Sequence, residues 1–193
     1  MLLGYNGAMP CVPLIRHPST PCAAVHRFDV RVRRTQQHIL ALAYSIAGEV
    51  TRLHLPEPLP SRRVDGLWRH TCFEVFLGRP GFPDYHEFNL SPSTEWALYR
   101  FGTYREGMSP VTTRQPPDIA PNREAGRFEL HARIDLDELG LHREAEGPSL
   151  ALAAVIETVD GTLSYWALAH PSVQPDFHHP EGFVPGLARS SLG

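Results

Sequence analysis

The chain has 193 residues, an apolar share of 42%, a charged share of 20% and a formal net charge of −3. This composition is too apolar for a disordered chain, and the length fits a single β-sandwich domain. The small net charge and the scattered arginines predict no nucleic-acid partner, because phosphate backbones attract clustered positive charge. The sequence opens without a signal-peptide pattern, and no run approaches the ~18 apolar residues of a membrane span, so we expect a cytoplasmic protein with no membrane partner.

Short alternating apolar runs, broken by Pro, Gly and Asp, dominate the chain and predict an all-β fold. The expected architecture is an antiparallel β-sandwich with at most one short helix, over 136–139. The predicted strands, in chain order, are 25–32, 39–47, 52–55, 72–77, 85–90, 95–101, 127–134, 150–158, 163–168 and 183–187. The segments 91–94 and 159–162 have the composition of hairpin turns.

The two-residue period of a strand assigns side chains to faces. The side chains predicted to form the core between the sheets are Phe73, Val75, Leu77, Phe128, Leu130, Ile134, Leu152 and Trp166. Glu74 then lies on the opposite face of its strand, which indicates that this face is open or that the carboxylate is hydrogen-bonded. Glu87 and Asn89 share one face of the next strand, and Trp96 and Arg100 share one face of the strand after it.

Several motifs in order carry a family resemblance. The run DGLWRHTCFEVFL at 65–77 resembles the signature of bacterial DOMON-like proteins related to family 9 carbohydrate-binding modules. The resemblance continues through YHEFNLSP at 85–92, WALYRF at 96–101, YREG at 104–107, YW at 165–166 and PDFHHP at 175–180. It covers most of the chain and implies an N-terminal extension at 1–17, a DOMON-like β-sandwich domain at 18–187 and a C-terminal tail at 188–193.

In the sugar-binding members of that family, the resemblance implies two aromatic rings that sandwich a terminal sugar. Trp68 matches the first ring. Phe177 stands where the second ring is normally a Trp. Such rings offer flat apolar faces to the C–H patches of a sugar. The resemblance therefore implies a small-molecule partner, with a mono- or disaccharide end as the favoured class.

The same resemblance implies polar groups that bind the sugar hydroxyls. Glu74 matches the strand carboxylate, Asn89 the strand amide and Gln174 an amide three residues before the second aromatic ring. Glu87 departs from the family pattern, which has a basic residue there, so the identity of the ligand is more open than the existence of a pocket. We add Arg100 because its planar donors suit hydroxyl groups. No cofactor is expected.

A metal or haem site is the first alternative. His170, Asp176, His178 and His179 lie in one loop, and haem-binding relatives of the DOMON group exist. The spacing matches no zinc motif, and adjacent histidines need an irregular backbone to share one metal. The metal hypothesis rests on His170, His178 and His179.

An enzyme is the second alternative, because Glu74 and Glu87 on neighbouring strands have the pattern of a glycosidase carboxylate pair. The sequence contains no nucleophile elbow, phosphate loop, dinucleotide fingerprint or metal-binding helix. We therefore predict a non-catalytic binding module. A structural or protein-interaction module also fits, and the sequence leaves the oligomeric state open.

Overall fold

The structure is a computed structural model that describes residues 11–35, 38–141 and 147–185. Two antiparallel sheets pack face to face, as predicted for an all-β sandwich. The strands are β1 (Cys11–Pro13), β2 (Ile15–Arg16), β3 (Val25–Arg34), β4 (Ile39–Gly48), β5 (Cys72–Gly78), β6 (Tyr85–Leu90), β7 (Trp96–Phe101), β8 (Ser109–Pro110), β9 (Asp118–Glu124), β10 (Arg127–Asp135), β11 (Ser149–Glu157) and β12 (Leu163–Ala167).

The five-stranded sheet has the order β1-β3-β4-β10-β9, and the seven-stranded sheet has the order β2-β12-β11-β5-β6-β7-β8. The main core lies between them, and all eight side chains predicted for it are buried there. A second apolar cluster lies on the outer face of the seven-stranded sheet. That sheet is thus covered on both faces, and β5 is buried along its whole length.

Two predicted hairpins are confirmed. Ser91 joins β6 to β7 by accepting a hydrogen bond from the Thr94 amide at 3.0 Å, with Thr94 in the left-handed region at φ 68°. Between β11 and β12 the turn closes through a 2.8 Å bond from the Gly161 amide to the Thr158 carbonyl. Gly161 adopts φ 82°, a conformation that glycine takes without steric cost.

The strand predicted over 52–55 is not formed. A 3-10 turn, Val50–Arg52, precedes a single β-bridge between Leu53 and Thr158. Leu53 and Leu55 are buried, so the alternation there reflects a loop anchored to the core rather than a strand. Over 136–139 the backbone makes hydrogen-bonded turns in place of the predicted helical turn.

The edges of the sheets differ most from the prediction. Strands β1 and β2, inside the predicted N-terminal extension, add an edge to each sheet. Strand β9 was not predicted, because its sequence is polar and contains Pro121, which is tolerated at an edge. Near 183–187 only Val184 pairs, through a bridge to Leu150, and residues 186–193 lie outside the described residues. No helix in the described ranges is long and apolar enough to cross a bilayer.

Candidate functional site

The outer face of the seven-stranded sheet carries three of the polar side chains that the sequence singled out. On β5 the core-side positions hold Phe73 and Val75, so Glu74 between them projects from the outer face. Glu74 pairs in register with Asn89 on β6, and Glu87 lies two residues before Asn89 on the same face. The period-two prediction for these three residues is confirmed.

A cavity of about 510 Å³ lies above this face. The volume is within the range of small-molecule sites. Its walls combine apolar and charged side chains, as a site for a partly polar ligand requires. The lining residues are Trp68, Glu74, Glu87, Phe101, Arg105, Met108, Val155, Tyr165, Pro175, Phe177 and His178. We call this cavity the outer-face cleft.

The two predicted aromatic residues both belong to the walls of the outer-face cleft. Trp68 is carried by a 3-10 turn, Leu67–Arg69, that follows Gly66 in the left-handed conformation. The indole packs edge-to-face on Tyr99 with ring centroids 5.7 Å apart. Phe177 packs at a tilt on Tyr165 with centroids 5.9 Å apart. Each ring is partly exposed, so apolar surface remains for a ligand.

A carboxylate, Asp176, ties two loops together at the rim of the cleft. Arg105 donates two hydrogen bonds to Asp176 Oδ1, from Nη2 at 2.7 Å and from Nε at 3.1 Å. The Tyr104 hydroxyl donates to Asp176 Oδ2, and the His178 amide donates to Oδ1 at 3.1 Å. The loop after β7 is thereby fixed against the loop that carries Phe177.

Hydrogen bonds and one close polar contact link side chains in and beneath the floor of the cleft. The Cys72 thiol donates to Asn89 Oδ1 at 3.3 Å, and Asn89 Nδ2 donates to Glu87 Oε1 at 2.6 Å. His178 Nε2 lies 3.7 Å from Glu87 Oε2, while His178 Nδ1 is hydrogen-bonded to the Tyr85 hydroxyl at 2.8 Å. Glu87 and Asn89 are therefore held in place by neighbours.

Glu74 differs from Glu87 in having no such partner. Only 3% of Glu74 is exposed, yet its side chain lines the cleft. Among the described residues, none makes a hydrogen bond or an ion pair with the Glu74 carboxyl group. The Glu74 carboxyl group faces the cleft, where a ligand can donate hydrogen bonds to it.

Burial also changes the acidity of the site. Burial, and then the charge of Glu87, raise the pKa of Glu74 well above its ordinary value, against the opposing charge of Arg105. Burial raises the pKa of Glu87 to about 7, although the Asn89 hydrogen bond and Arg105 act against it. Burial and the charge of Arg105 lower the pKa of His178 to about 4. At neutral pH His178 is uncharged.

The raised pKa of Glu87 predicts a pH dependence of folding stability. A carboxyl group with a raised pKa in the folded state contributes stability below its unfolded pKa of 4.5 and loses it as pH rises through about 7. We expect the unfolding free energy of the parent to fall over this window more steeply than that of Glu87→Gln. Urea denaturation at pH 4.5 to 8 measures both. Parallel curves for the two proteins would contradict the assignment.

Three predicted site residues do not line the cleft: Asn89 is fully buried beneath it, and Arg100 and Gln174 lie away from it. Arg100 shares a face with Trp96, as predicted, but that face is the core-side face of β7, opposite to the face of Glu87. Its Nη2 donates to Asp84 Oδ2 at 3.2 Å at the edge of the sheet. Gln174 is exposed in the loop before Phe177 and does not line the cleft.

The three histidines of the metal hypothesis have separate partners. His170 Nε2 lies 2.8 Å from the Ile15 carbonyl oxygen, and His178 is bonded to Tyr85. His179 Nδ1 accepts a hydrogen bond from the Glu181 amide at 3.2 Å. Within the described ranges these histidines do not bring three ligand atoms close enough together to hold a metal ion.

Sequence reasoning missed several cleft residues, of which Arg105 is the most informative. The stretch YREG at 104–107 was noted only as part of the family resemblance. Arg105 has φ 56° and donates its amide to the Tyr85 hydroxyl at 3.2 Å. A non-glycine residue in the left-handed region is uncommon and occurs often at functional sites. In the sequence, a charged residue in a tight turn is the feature that could have indicated a functional role for Arg105. It gives no indication of which loop Arg105 contacts.

Comparisons with known proteins give a class of fold and a similar solved structure. No protein-family model matches the chain, and no curated protein matches it. The fold is similar to the crystal structure named as that of a "putative carbohydrate-binding protein" from Bacteroides uniformis, with a TM-score of 0.57. The sequence identity is 14%, and the match covers 91% of this chain and 84% of that chain. At this identity the similarity establishes the sandwich fold.

Proposed function

We propose that this protein is a non-catalytic carbohydrate-binding module that holds a mono- or disaccharide end in the outer-face cleft. We also propose that the protein is related to the DOMON-like proteins and to family 9 carbohydrate-binding modules. The resemblance in the motifs and the fold of the Bacteroides uniformis protein support it. The observation that carries the proposal is Glu74, a buried carboxyl group directed into the cleft without a partner among the described residues.

The chemistry of the cleft suits a sugar. A sugar presents apolar C–H patches and hydroxyl groups that both donate and accept hydrogen bonds. Trp68, Phe177 and Tyr165 supply partly exposed ring faces, while Glu74 supplies free acceptor oxygens. The paired polar groups around Asn89 keep the floor rigid, so little ordering is required on binding.

The position of the carboxyl groups argues against glycoside hydrolysis. Glu74 and Glu87 project from neighbouring strands on the same face, side by side in the floor of the cleft. Glycosidases place their two carboxyl groups on either side of the scissile bond. A ligand resting on this floor would meet both groups from one side, which suits hydroxyl recognition.

The test is calorimetry of the parent and of Glu74→Gln against a panel of mono- and disaccharides at pH 7. We expect the parent to bind at least one sugar with one site per chain, and Glu74→Gln to weaken that binding by about tenfold or more. The amide of Gln offers one acceptor oxygen where the carboxyl group offers two, and a buried hydrogen-bonding group left without its partner costs ~1–3 kcal/mol. The folding stability of Glu74→Gln should be equal to or higher than that of the parent, because the substitution removes a buried ionisable group.

Glu124→Gln is the matched control, since Glu124 is exposed on the edge strand β9 of the other sheet. It should bind as the parent does. Equal affinity of the parent and Glu74→Gln would contradict the role of Glu74, and absence of binding across the panel would contradict a carbohydrate ligand. Sugar turnover by the parent that is lost in Glu74→Gln would show that the protein is a glycosidase and not a non-catalytic binding module.

A further inference from the structure

A second group of chemically active side chains lies at the end of β11. His54, His70 and Glu157 each contribute one ligand atom, and these atoms all lie within 4.8 Å of one another. Each histidine Nδ1 is 2.8 Å from the same oxygen, Glu157 Oε2, and the two rings stand nearly perpendicular at 83°. The three residues are unrelated to the histidines of the 169–182 loop.

The backbone holds this group in a fixed geometry. The His54 amide donates to the Glu157 carbonyl at 2.8 Å, beside the bridge between Leu53 and Thr158. Thr71, which is buried, donates its hydroxyl to the His54 carbonyl at 2.7 Å and accepts from the Glu157 amide at 3.0 Å. Thr71 also follows His70 directly in the chain. One buried side chain therefore fixes the backbone positions of all three candidate ligands.

From this geometry we infer that His54, His70 and Glu157 bind one divalent transition-metal ion of the zinc class. Zn²⁺ ligands at about 2.0–2.1 Å lie roughly 2.9–3.4 Å apart for bond angles between ~90° and ~110°. The two Nδ1–Oε2 separations of 2.8 Å need to open by a few tenths of an ångström. The widest separation among the three ligand atoms, 4.8 Å, needs to close by roughly 1.4–1.9 Å, which rotation of the exposed histidine rings can supply. Coordination uses the lone pair of each Nδ1, so in the metal-bound form each imidazole carries its proton on Nε2.

The donor set selects the kind of metal. Two imidazole nitrogens and one carboxylate oxygen suit zinc and neighbouring divalent transition metals, whereas calcium and magnesium prefer oxygen ligands throughout. The histidine side chains are 51% and 64% exposed. A fourth position therefore remains open to water or to a ligand from solution.

The test is a titration of tag-free, chelator-stripped protein with ZnCl2, in competition with a chromophoric chelator. We expect one Zn²⁺ per chain in the parent, and at least tenfold weaker binding in His54→Ala and in Glu157→Gln. His131→Ala is the matched control, because His131 Nε2 lies 3.5 Å from Glu129 without a third ligand in the described ranges. It should bind Zn²⁺ as the parent does.

Thermal unfolding provides a readout that does not depend on the chelator. ZnCl2 at a concentration that just saturates the parent should raise the melting temperature of the parent and of His131→Ala, and should raise that of Glu157→Gln by less, because stabilisation depends on the ratio of metal concentration to Kd of the folded site. Equal zinc affinity in the parent and Glu157→Gln, or no stoichiometric binding by the parent, would overturn the inference. Sugar binding is measured separately on Glu74→Gln, so failure of one proposal leaves the other testable.

Discussion

Replacing Trp68 by Ala is expected to weaken sugar binding by about 30-fold or more, roughly 2 kcal/mol. The indole lines the cleft, is partly exposed and is braced edge-to-face by Tyr99. A braced ring offers a large contact area and loses little entropy on binding. Calorimetry with the sugar that binds the parent most tightly measures the effect. The fold should survive, since Trp68 lies outside the main core.

Two variants control this experiment. Phe82 is an exposed aromatic residue that stacks on Arg79 and does not line the cleft, so Phe82→Ala should leave affinity unchanged. Phe177→Trp should bind as well as the parent or more tightly, because a larger ring adds contact area at the second wall. Unchanged affinity in Trp68→Ala would show that the sugar binds elsewhere, and equal losses in Trp68→Ala and Phe82→Ala would show a general effect on the fold.

Strand periodicity predicted the inner part of the molecule because burial on one face imposes the two-residue pattern. The same period predicted that Glu74 lies opposite to the core-side residues of β5 and that Glu87 and Asn89 share one face of β6, and the pairing of these strands brings all three to the outer face. The edge strand β9 was not predicted, since Ile119 is the single buried residue of this strand and its other residues are exposed or half-buried. An edge strand is held mainly by backbone hydrogen bonds to its neighbour and less by buried apolar side chains. Backbone pairing leaves little pattern in the sequence, so such strands are hard to predict.

Arg100 shows where periodicity stops being informative. Trp96 and Leu98 on one face of β7 are apolar, and so are Tyr99 and Phe101 on the other. Alternation alone therefore fixes which residues share a face and leaves open which face meets the core. The cleft lies on the side of Tyr99, so Arg100 points away from it.

Contacts between loops could not be predicted from the sequence for a different reason. Arg105 and Asp176 are 71 residues apart in the chain, and their ion pair depends on the left-handed turn at Arg105. His54 and Glu157 are separated by 103 residues, and each looks like an ordinary surface residue in its own segment. Only the topology, which brings the segment after β4 to the end of β11, places them together.

Truncating Leu130 to Ala is expected to lower the free energy of unfolding by about 2–5 kcal/mol. Leu130 is fully buried in the centre of β10, where it pairs with Tyr44 on β4 and with Pro121 on β9. Both neighbouring strands hold the backbone in place, so the structure cannot collapse readily into the space left by the side chain. Urea unfolding measures the change as a shift of the midpoint at constant slope.

His131→Ala supplies the comparison, because His131 is the next residue on β10 and points to solvent. Its substitution should change the unfolding free energy by no more than ~0.5 kcal/mol. The difference between the two variants isolates core packing from any change in strand propensity, since both residues become alanine in the same strand. A loss below ~1 kcal/mol for Leu130→Ala, or similar losses for both variants, would mean that the two sheets do not pack through Leu130.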